Sequence, residues 1–158
     1  IPATVLRTPI LMGPGTAGAK SLRSAISSGQ AKVLGGGEYC MRPLDTDDLS
    51  QALSKLACSP VTGSQVHELV GPEPITYRDL IKKAGSSVGK EVEVGSVPIL
   101  IAKLAAAINS TLKGGGITPT VIDVITMDEV VAENADEKIG INLTPLEDTL
   151  RKILIGDS

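Results

Sequence analysis

The sequence predicts an α/β fold whose later part is mainly helical. Three observations predict it. Short β-branched, apolar segments alternate with amphipathic ones through the first half, helix start signals crowd the last third, and 42% of the 158 residues are hydrophobic, enough for one domain with a core. That core has to be aliphatic. Phe and Trp do not occur and only Tyr39 and Tyr77 are aromatic, so Leu, Ile, Val and Ala must fill it.

Ala3 to Arg7 is β-branched and apolar and reads as a buried strand. A continuous apolar strand needs a neighbour on each side, and none precedes it, so an upstream portion is expected. A loop over Thr8 to Gly18 follows, then a short helix from Ala19 to Ser28 and a strand over Lys32 to Leu34 ended by Gly35-Gly36-Gly37. Cys40 to Leu44 is extended, and Asp45 or Thr46 caps a helix to Ala57 with Leu49, Leu53, Leu56 and Ala57 on its inner face. Val66 to Val70 is a strand closed by Gly71-Pro72, and Thr76 caps a helix whose apolar side is Leu80, Ile81 and Ala84. Glu91 to Val97 alternates as a half-exposed strand does. Pro98 opens a helix to Leu112, broken by Gly114-Gly115-Gly116, and Pro119 opens another to Asp128. Thr144-Pro145-Leu146-Glu147 has the spacing of a capping box, starting a last helix to Leu154.

Charge excludes some functions. Fifteen basic against 18 acidic residues give a net charge of −3, without the basic excess of a phosphate-backbone binder. The shortage of aromatic rings also removes the stacking platforms that single-stranded nucleic acid requires. The cysteines, Cys40 and Cys58, share no metal-like spacing with His67, the single histidine. They read as reduced residues of a cytoplasmic protein. The most apolar stretch, Val97 to Ile108, runs twelve residues and includes Lys103, too short to span a bilayer.

Gly13-Pro14-Gly15-Thr16-Ala17-Gly18 matches G-x-G-x-x-G, with Glu38 twenty residues beyond Gly18. Pattern alone makes this a dinucleotide fingerprint with its ribose-binding acid. Three points oppose that reading. Pro14 lacks an N–H in a loop that must present N–H donors. The preceding strand ends five residues early, at Arg7, and Glu38 follows three glycines and not a firm second strand. A phosphate loop also fails, because Ala19 displaces Lys20 by roughly 100° around the helix it opens. A surface loop entering a helix is the plainer account.

Four blocks carry a resemblance. Thr4-Val5-Leu6-Arg7-Thr8-Pro9 with Met12-Gly13-Pro14-Gly15 resembles an L-R-P…G-P-G segment, and Pro43 to Leu49 is similar to a P-V-H/D-V-D-D-V helix entry. His67 to Tyr77 resembles Y-E-L-G-G-P-E-x-L-T-Y, and Leu143 to Leu150 resembles L-T-P-L-E-E-G-L. In this order the blocks resemble atypical or extended short-chain dehydrogenases/reductases, near the NAD(P)-binding sugar-epimerase-like branch related to an accessory subunit of respiratory complex I. The resemblance implies the C-terminal portion of a Rossmann-type fold. Residues 1–75 would be its last sheet strands and connections, and 76–158 a mainly helical substrate-binding cap, together one partial domain.

The same resemblance implies a site. Thr8, Pro9, Ile10, Leu11 and Met12 would run beside the nicotinamide of NAD or NADP, with Met12, Gly13 and Arg42 toward a small-molecule substrate. The alternative for the loop is simple packing between sheet and cap. The family's Tyr-x-x-x-Lys pair is absent, since Tyr39 is followed four residues later by Pro43 and Tyr77 by Ile81. The pair and the glycine fingerprint would lie upstream, so no catalytic residue is expected here and the chain alone is expected to be inactive. The full protein is expected to be an oxidoreductase or epimerase, or else a non-catalytic assembly subunit; a free-standing small binding module is the third reading. The expected partner is the missing N-terminal half or another subunit.

Other residues carry weaker signals. Asp45, Asp47 and Asp48 suggest paired carboxylates or a cation site, against capping of the helix they open. Arg42 either meets an anionic group or is solvated. His67 reads as a packed or surface residue, and Tyr77 as a ring packed at a helix start. The helix from Val97 is apolar nearly all round, so it is buried in this domain's own core, lines a pocket or receives a partner.

Overall fold

The computed structural model describes residues 2–60, 63–113 and 118–156, with the backbone alone for residues 105 and 108–113. In chain order the first elements are β1 (Thr4–Arg7), β2 (Leu11–Met12), α1 (Ala17–Ser28) and β3 (Gln30–Leu34), then a 3-10 turn at Gly35–Gly37. Next come β4 (Cys40–Met41), β5 (Leu44–Asp45), α2 (Thr46–Ala57), β6 (Gln65–Glu68), β7 (Ile75–Thr76) and α3 (Tyr77–Ser87). The chain closes with β8 (Glu93–Val97), α4 (Ile99–Lys113), α5 (Pro119–Ile125), α6 (Asp136–Ile139) and α7 (Leu146–Ile155). The fold is thus mixed α/β, as the sequence predicts. Gly114-Gly115-Gly116, expected to break the long apolar helix, lie outside the described residues.

Two compact units share the chain discontinuously. One is Ile1–Arg23, Met41–Pro74 and Glu129–Ser158; the other is Ser24–Cys40 and Ile75–Asp128. In the first unit β1 and β6 run parallel, Thr4 opposite Gln65 through Arg7 opposite Glu68. Gln65 N–H donates to the Ala3 carbonyl (2.8 Å) and Leu69 N–H to that of Arg7 (2.9 Å). Odd-numbered residues of β1 therefore face β6, and the backbone groups of Thr4 and Leu6 face away. The far edge of β6 is covered at its C-terminal end. Ala135 N–H donates to the Glu68 carbonyl (2.9 Å), and the Asn134 side-chain amide mimics a strand, accepting from Val70 N–H (3.1 Å) and donating to its carbonyl (3.0 Å). This side-chain pairing ends β6 at Glu68, two residues before the predicted limit.

The core of this unit is Leu44, Ala52, Leu69 and Ile141, with Leu6, Leu11, Leu49, Ile139 and Leu143 packed on it. Within the expected loop, Leu11 and Met12 form a short strand parallel to β5. The inner face of α2 differs from the prediction. Asp48 and Ala52 are buried, whereas Leu53 is 50% exposed and Ala57 also faces solvent. Asp48 turns the helix inward because its carboxylate accepts from Thr144 N–H (2.7 Å) and Thr144 Oγ1 (2.8 Å). That contact also overturns the predicted capping box of α7. The Thr144 hydroxyl is committed to Asp48, and Pro145 stands at the cap without a side-chain bond.

In the second unit β3 and β8 are parallel, Gln30 opposite Glu93 through Leu34 opposite Val97. Thr76 caps α3, accepting from Asp79 N–H, and Leu80, Ile81 and Ala84 are buried as expected. The glycine turn after β3 has all three residues at positive φ. Arg78 explains the sequence: its backbone crosses so close to Gly37 that a Cβ there would lie 3.0 Å from Arg78 N, and its Nε donates to the Gly36 carbonyl (2.8 Å). Only glycine combines that φ with that approach. Pro119 opens α5 as predicted, behind a Thr118 cap, and the helix ends at Ile125, short of the predicted Asp128.

Asp45 organises the junction of α2 and α7. Its Oδ1 accepts from Asp47 N–H (2.8 Å), which caps α2, and from Lys152 Nζ (2.5 Å), while Oδ2 accepts from Thr149 Oγ1 (2.8 Å). Lys152 also reaches Asp47 Oδ2 at 2.8 Å. Burial by itself pushes the Asp45 carboxyl up, but the bonds from Lys152, Asp47 N–H and Thr149, with the Lys152 charge, hold it below its ordinary value. Burial likewise opposes the Lys152 charge, and the two aspartates overcome it and raise the amine.

The architecture can be probed at a glycine and at the carboxylate. A Cβ on Gly71 would collide with the Pro43 carbonyl, whereas one on Gly63 meets nothing within 4 Å. Gly71→Ala should cost about 1–3 kcal/mol in urea unfolding and Gly63→Ala less than about 0.5 kcal/mol; equal effects would contradict the close approach. For the carboxylate, a lowered folded pKa means that the stability from Asp45 is fully present above the ordinary value of 3.8 and is lost as pH falls through the lower folded value. Lys152→Met removes a charged hydrogen bond worth about 1.5–3 kcal/mol at pH 7. Its acid-unfolding midpoint should move to higher pH, and an unchanged midpoint would show that the pair contributes nothing.

Candidate functional site

The segment expected to meet a cofactor lies between β1 and α1. Thr8 is exposed, Pro9, Ile10 and Leu11 are half-buried, and Met12 is fully buried. The backbone is held by β5, with Leu44 N–H donating to the Ile10 carbonyl (3.1 Å). Gly13 is buried against Thr46, whose side chain leaves no room for a Cβ. Met12 likewise presses on Gly18, where a Cβ would sit 2.8 Å from the Met12 sulfur. Two glycines of the G-x-G-x-x-G pattern thus have packing causes.

As a phosphate cradle this turn does not fit. Thr16 Oγ1 accepts from Ala19 N–H (3.2 Å) and lies 3.4 Å from Gly13 N, and it donates to the Gly13 carbonyl (2.9 Å). Of the donors that a pyrophosphate would need at the start of α1, the N–H groups of Gly13, Thr16 and Ala19 are engaged by the chain itself. Pro14 adds none.

Arg42 is half-buried between β4 and β5. Its Nε donates to the Gly71 carbonyl (3.0 Å) and Nη2 to that of Pro72 (2.8 Å), while its backbone N–H donates to Glu129 Oε2 (2.7 Å). The other arginines are also committed: Arg7 to Glu68, Arg23 to the Ile153 carbonyl, Arg78 to Gly36 and Glu38, and Arg151 to Glu147 and Asp148. Asp45, Asp47 and Asp48 come together as the α2 cap and its ties to residues 144–152. Among the described residues no group of three or more His, Cys, Asp or Glu could hold a metal.

Tyr39 and Tyr77 stack, with centroids 5.8 Å apart and planes 22° from parallel. Sequence reasoning finds no link between them. Burial first, then the neighbouring Tyr77, push the Tyr39 hydroxyl up to about 12, the wrong direction for proton transfer near neutral pH. His67 is buried, with Nε2 3.2 Å from Gln65 Oε1. Cys40 and Cys58 are free thiols, half-buried and exposed respectively. A hollow of about 490 Å³ in the second unit is lined by Gly29, Lys82, Ser86, Lys90, Glu91 and Glu93, and none of the expected site residues borders it. Among the described residues no helix is long and apolar enough to cross a membrane.

No family model matches the sequence, and no curated protein matches it. Solved structures do match. The triphenylmethane reductase of Citrobacter sp., complexed with NADP(H), has a TM-score of 0.69 at 22% identity over 98% of this chain and 54% of its own. The UDP-glucuronic acid 4-epimerase of Bacillus cereus, complexed with UDP-glucuronic acid and NAD, gives 0.67 at 15% over 96% of this chain and 44% of its own. The UDP-N-acetylglucosamine 4-epimerase of Methanobrevibacter ruminantium gives 0.66 at 16% over 98% and 46%. The chain therefore spans about half the length of the structures it matches. It has the Rossmann-like α/β fold found over that half of these reductases and epimerases.

Proposed function

We propose that the chain is the substrate side of an NAD(P)-dependent oxidoreductase or epimerase-like protein, completed by a dinucleotide-binding portion outside this sequence. One observation carries the reading. Among the described residues β1 and β6 form an isolated parallel pair, with the outer edge of β1 unpaired and Val5 and Val66 side by side at 48% and 56% exposure. Parallel sheets are covered on both faces and extended at their edges. The half-length match to NAD(P)- and NAD-bound structures supports the identity of the missing portion.

In this reading Thr8, Pro9, Ile10, Leu11 and Met12 line the nicotinamide end of NAD or NADP. Thr8 and Ile10 offer their surface, and buried Met12 fixes the backbone behind them. Met12, Gly13 and Arg42 shape the substrate end. Two of the five guanidinium N–H groups of Arg42 are spent on Gly71 and Pro72, leaving others for an anionic substrate group. The dinucleotide phosphates are held by the other portion, since the Gly13–Gly18 turn spends the Gly13 and Thr16 N–H groups on itself and has no donor at Pro14. The catalytic tyrosine and lysine also belong there, and this chain alone has no turnover. A cytoplasmic location fits the two free thiols.

The test compares the whole gene product with the 158-residue chain in calorimetric titrations with NADH and NADPH. The whole protein should bind one of them with Kd on the order of 1–100 μM, and the chain alone should show none at ~1 mM. Ile10→Asp in the whole protein should weaken binding about tenfold, roughly 1.4 kcal/mol. Equal binding by the chain alone, or no binding by the whole protein, would refute the reading. Binding without an upstream Tyr-x-x-x-Lys pair would identify a non-catalytic subunit.

A further inference from the structure

Tyr39 and Tyr77 are the only tyrosines of the chain, and the fold stacks them, 5.8 Å between centroids and 22° from parallel. Both are half-buried. Bonds around the stack hold them there. Tyr77 N–H donates to the Tyr39 carbonyl (3.3 Å). Arg78 Nε, one residue on, donates to the Gly36 carbonyl (2.8 Å) and lies 2.8 Å from Glu38 Oε1. Cys40 N–H donates to Asp128 Oδ1 (2.7 Å). The two backbone segments are therefore fastened together beside the rings, and side-chain torsions are the freedom left to the pair.

We propose that this stack is an oxidative modification site, at which Tyr39 and Tyr77 join as a dityrosine bridge. Each phenol gives one electron and one proton to a one-electron oxidant of the haem-peroxidase class, whose own electrons pass to hydrogen peroxide. The two phenoxyl radicals form a carbon–carbon bond between ring positions adjacent to their oxygens. The hydrogens displaced there return to the oxygens and restore both rings. Two phenols and one peroxide thus give one bridge and two waters. Holding the partner ring in contact makes the coupling an intramolecular step, which proximity accelerates strongly over chance encounter. Burial, and then Tyr77, push the Tyr39 hydroxyl up to about 12, so near neutral pH its proton leaves together with the electron. This chain has no Trp to intercept the oxidation. The neighbouring competitor is the half-buried Cys40 thiol, next in sequence to Tyr39. Once made, the bridge ties the chain that leaves the glycine turn to the first residue of α3.

The test illuminates the whole gene product with tris(bipyridyl)ruthenium and persulfate, a one-electron oxidant that acts in buffer and in urea alike. The monomer fraction is then digested and mapped by mass spectrometry. Wild type and Cys40→Ser, which removes the competing thiol, are treated in parallel. The expected product is a peptide pair joined through Tyr39 and Tyr77, lighter by two hydrogen atoms than its parts and carrying dityrosine fluorescence. Tyr39→Phe and Tyr77→Phe keep a ring at each position, which circular dichroism and urea unfolding check, and each should abolish that product. Unfolding the wild type in concentrated urea should lower the yield by at least about tenfold. Absence of the bridge from both wild type and Cys40→Ser, under conditions that couple N-acetyltyrosine in a parallel sample, overturns the proposal. So does an equal yield from folded and urea-unfolded protein.

Discussion

Two buried carboxylates at the start of α2 govern the first unit. A charge in that position must be satisfied almost completely, since stranding it costs far more than any single apolar contact returns. Asp45 and Asp48 are 2% and 1% exposed. Their partners are Thr144, Thr149 and Lys152, about a hundred residues downstream. The requirement sets where α7 lies, and α7 in turn rests against β2. It also rotates α2, so that Ala52 points inward where periodicity alone puts Leu53. The cation site that three neighbouring aspartates suggest is thereby replaced by a clasp whose cation is Lys152.

What is legible in the sequence is local. The helix over 46–57 is readable from its cap and first-turn acids, although its apolar spacing misplaces the inner face, and the helix from 77 is readable from its Thr76 cap and apolar side. Elements made by distant partners escape such reading. The strand at Leu11–Met12 exists because β5 lies beside it, and β6 stops early because Asn134 supplies a side chain where a strand would run. The candidate site divides likewise. Pro14 announces that the glycine turn is a poor phosphate cradle, whereas the capture of the Gly13 and Ala19 N–H groups by Thr16 is visible only in three dimensions. The grip of Gly71 and Pro72 on Arg42 spans about thirty residues and leaves no trace in a local pattern.

The β1–β6 pair shows how a short strap directs a sheet. Asn134 and Ala135 are seated against the end of β6, at Glu68 and Val70, and Thr4 and Leu6 turn their backbone groups to the other side of the pair. A further strand can join along that side. The exposed Val5 and Val66 mark the face that such an extension would also have to cover.

The discontinuous sharing of the chain has a consequence for its biosynthesis. Polypeptide leaves the ribosome in order, at roughly 5–20 residues per second. Asp45 and Asp48 emerge about a hundred residues before Lys152, so their carboxylates wait roughly 5–20 seconds for partners. The second unit's last segment ends at Asp128, and it can close while the first is still lacking its final helix. Throughout that interval the carboxylates of Asp45 and Asp48 are without Thr144, Thr149 and Lys152 and depend on water for their hydrogen bonds.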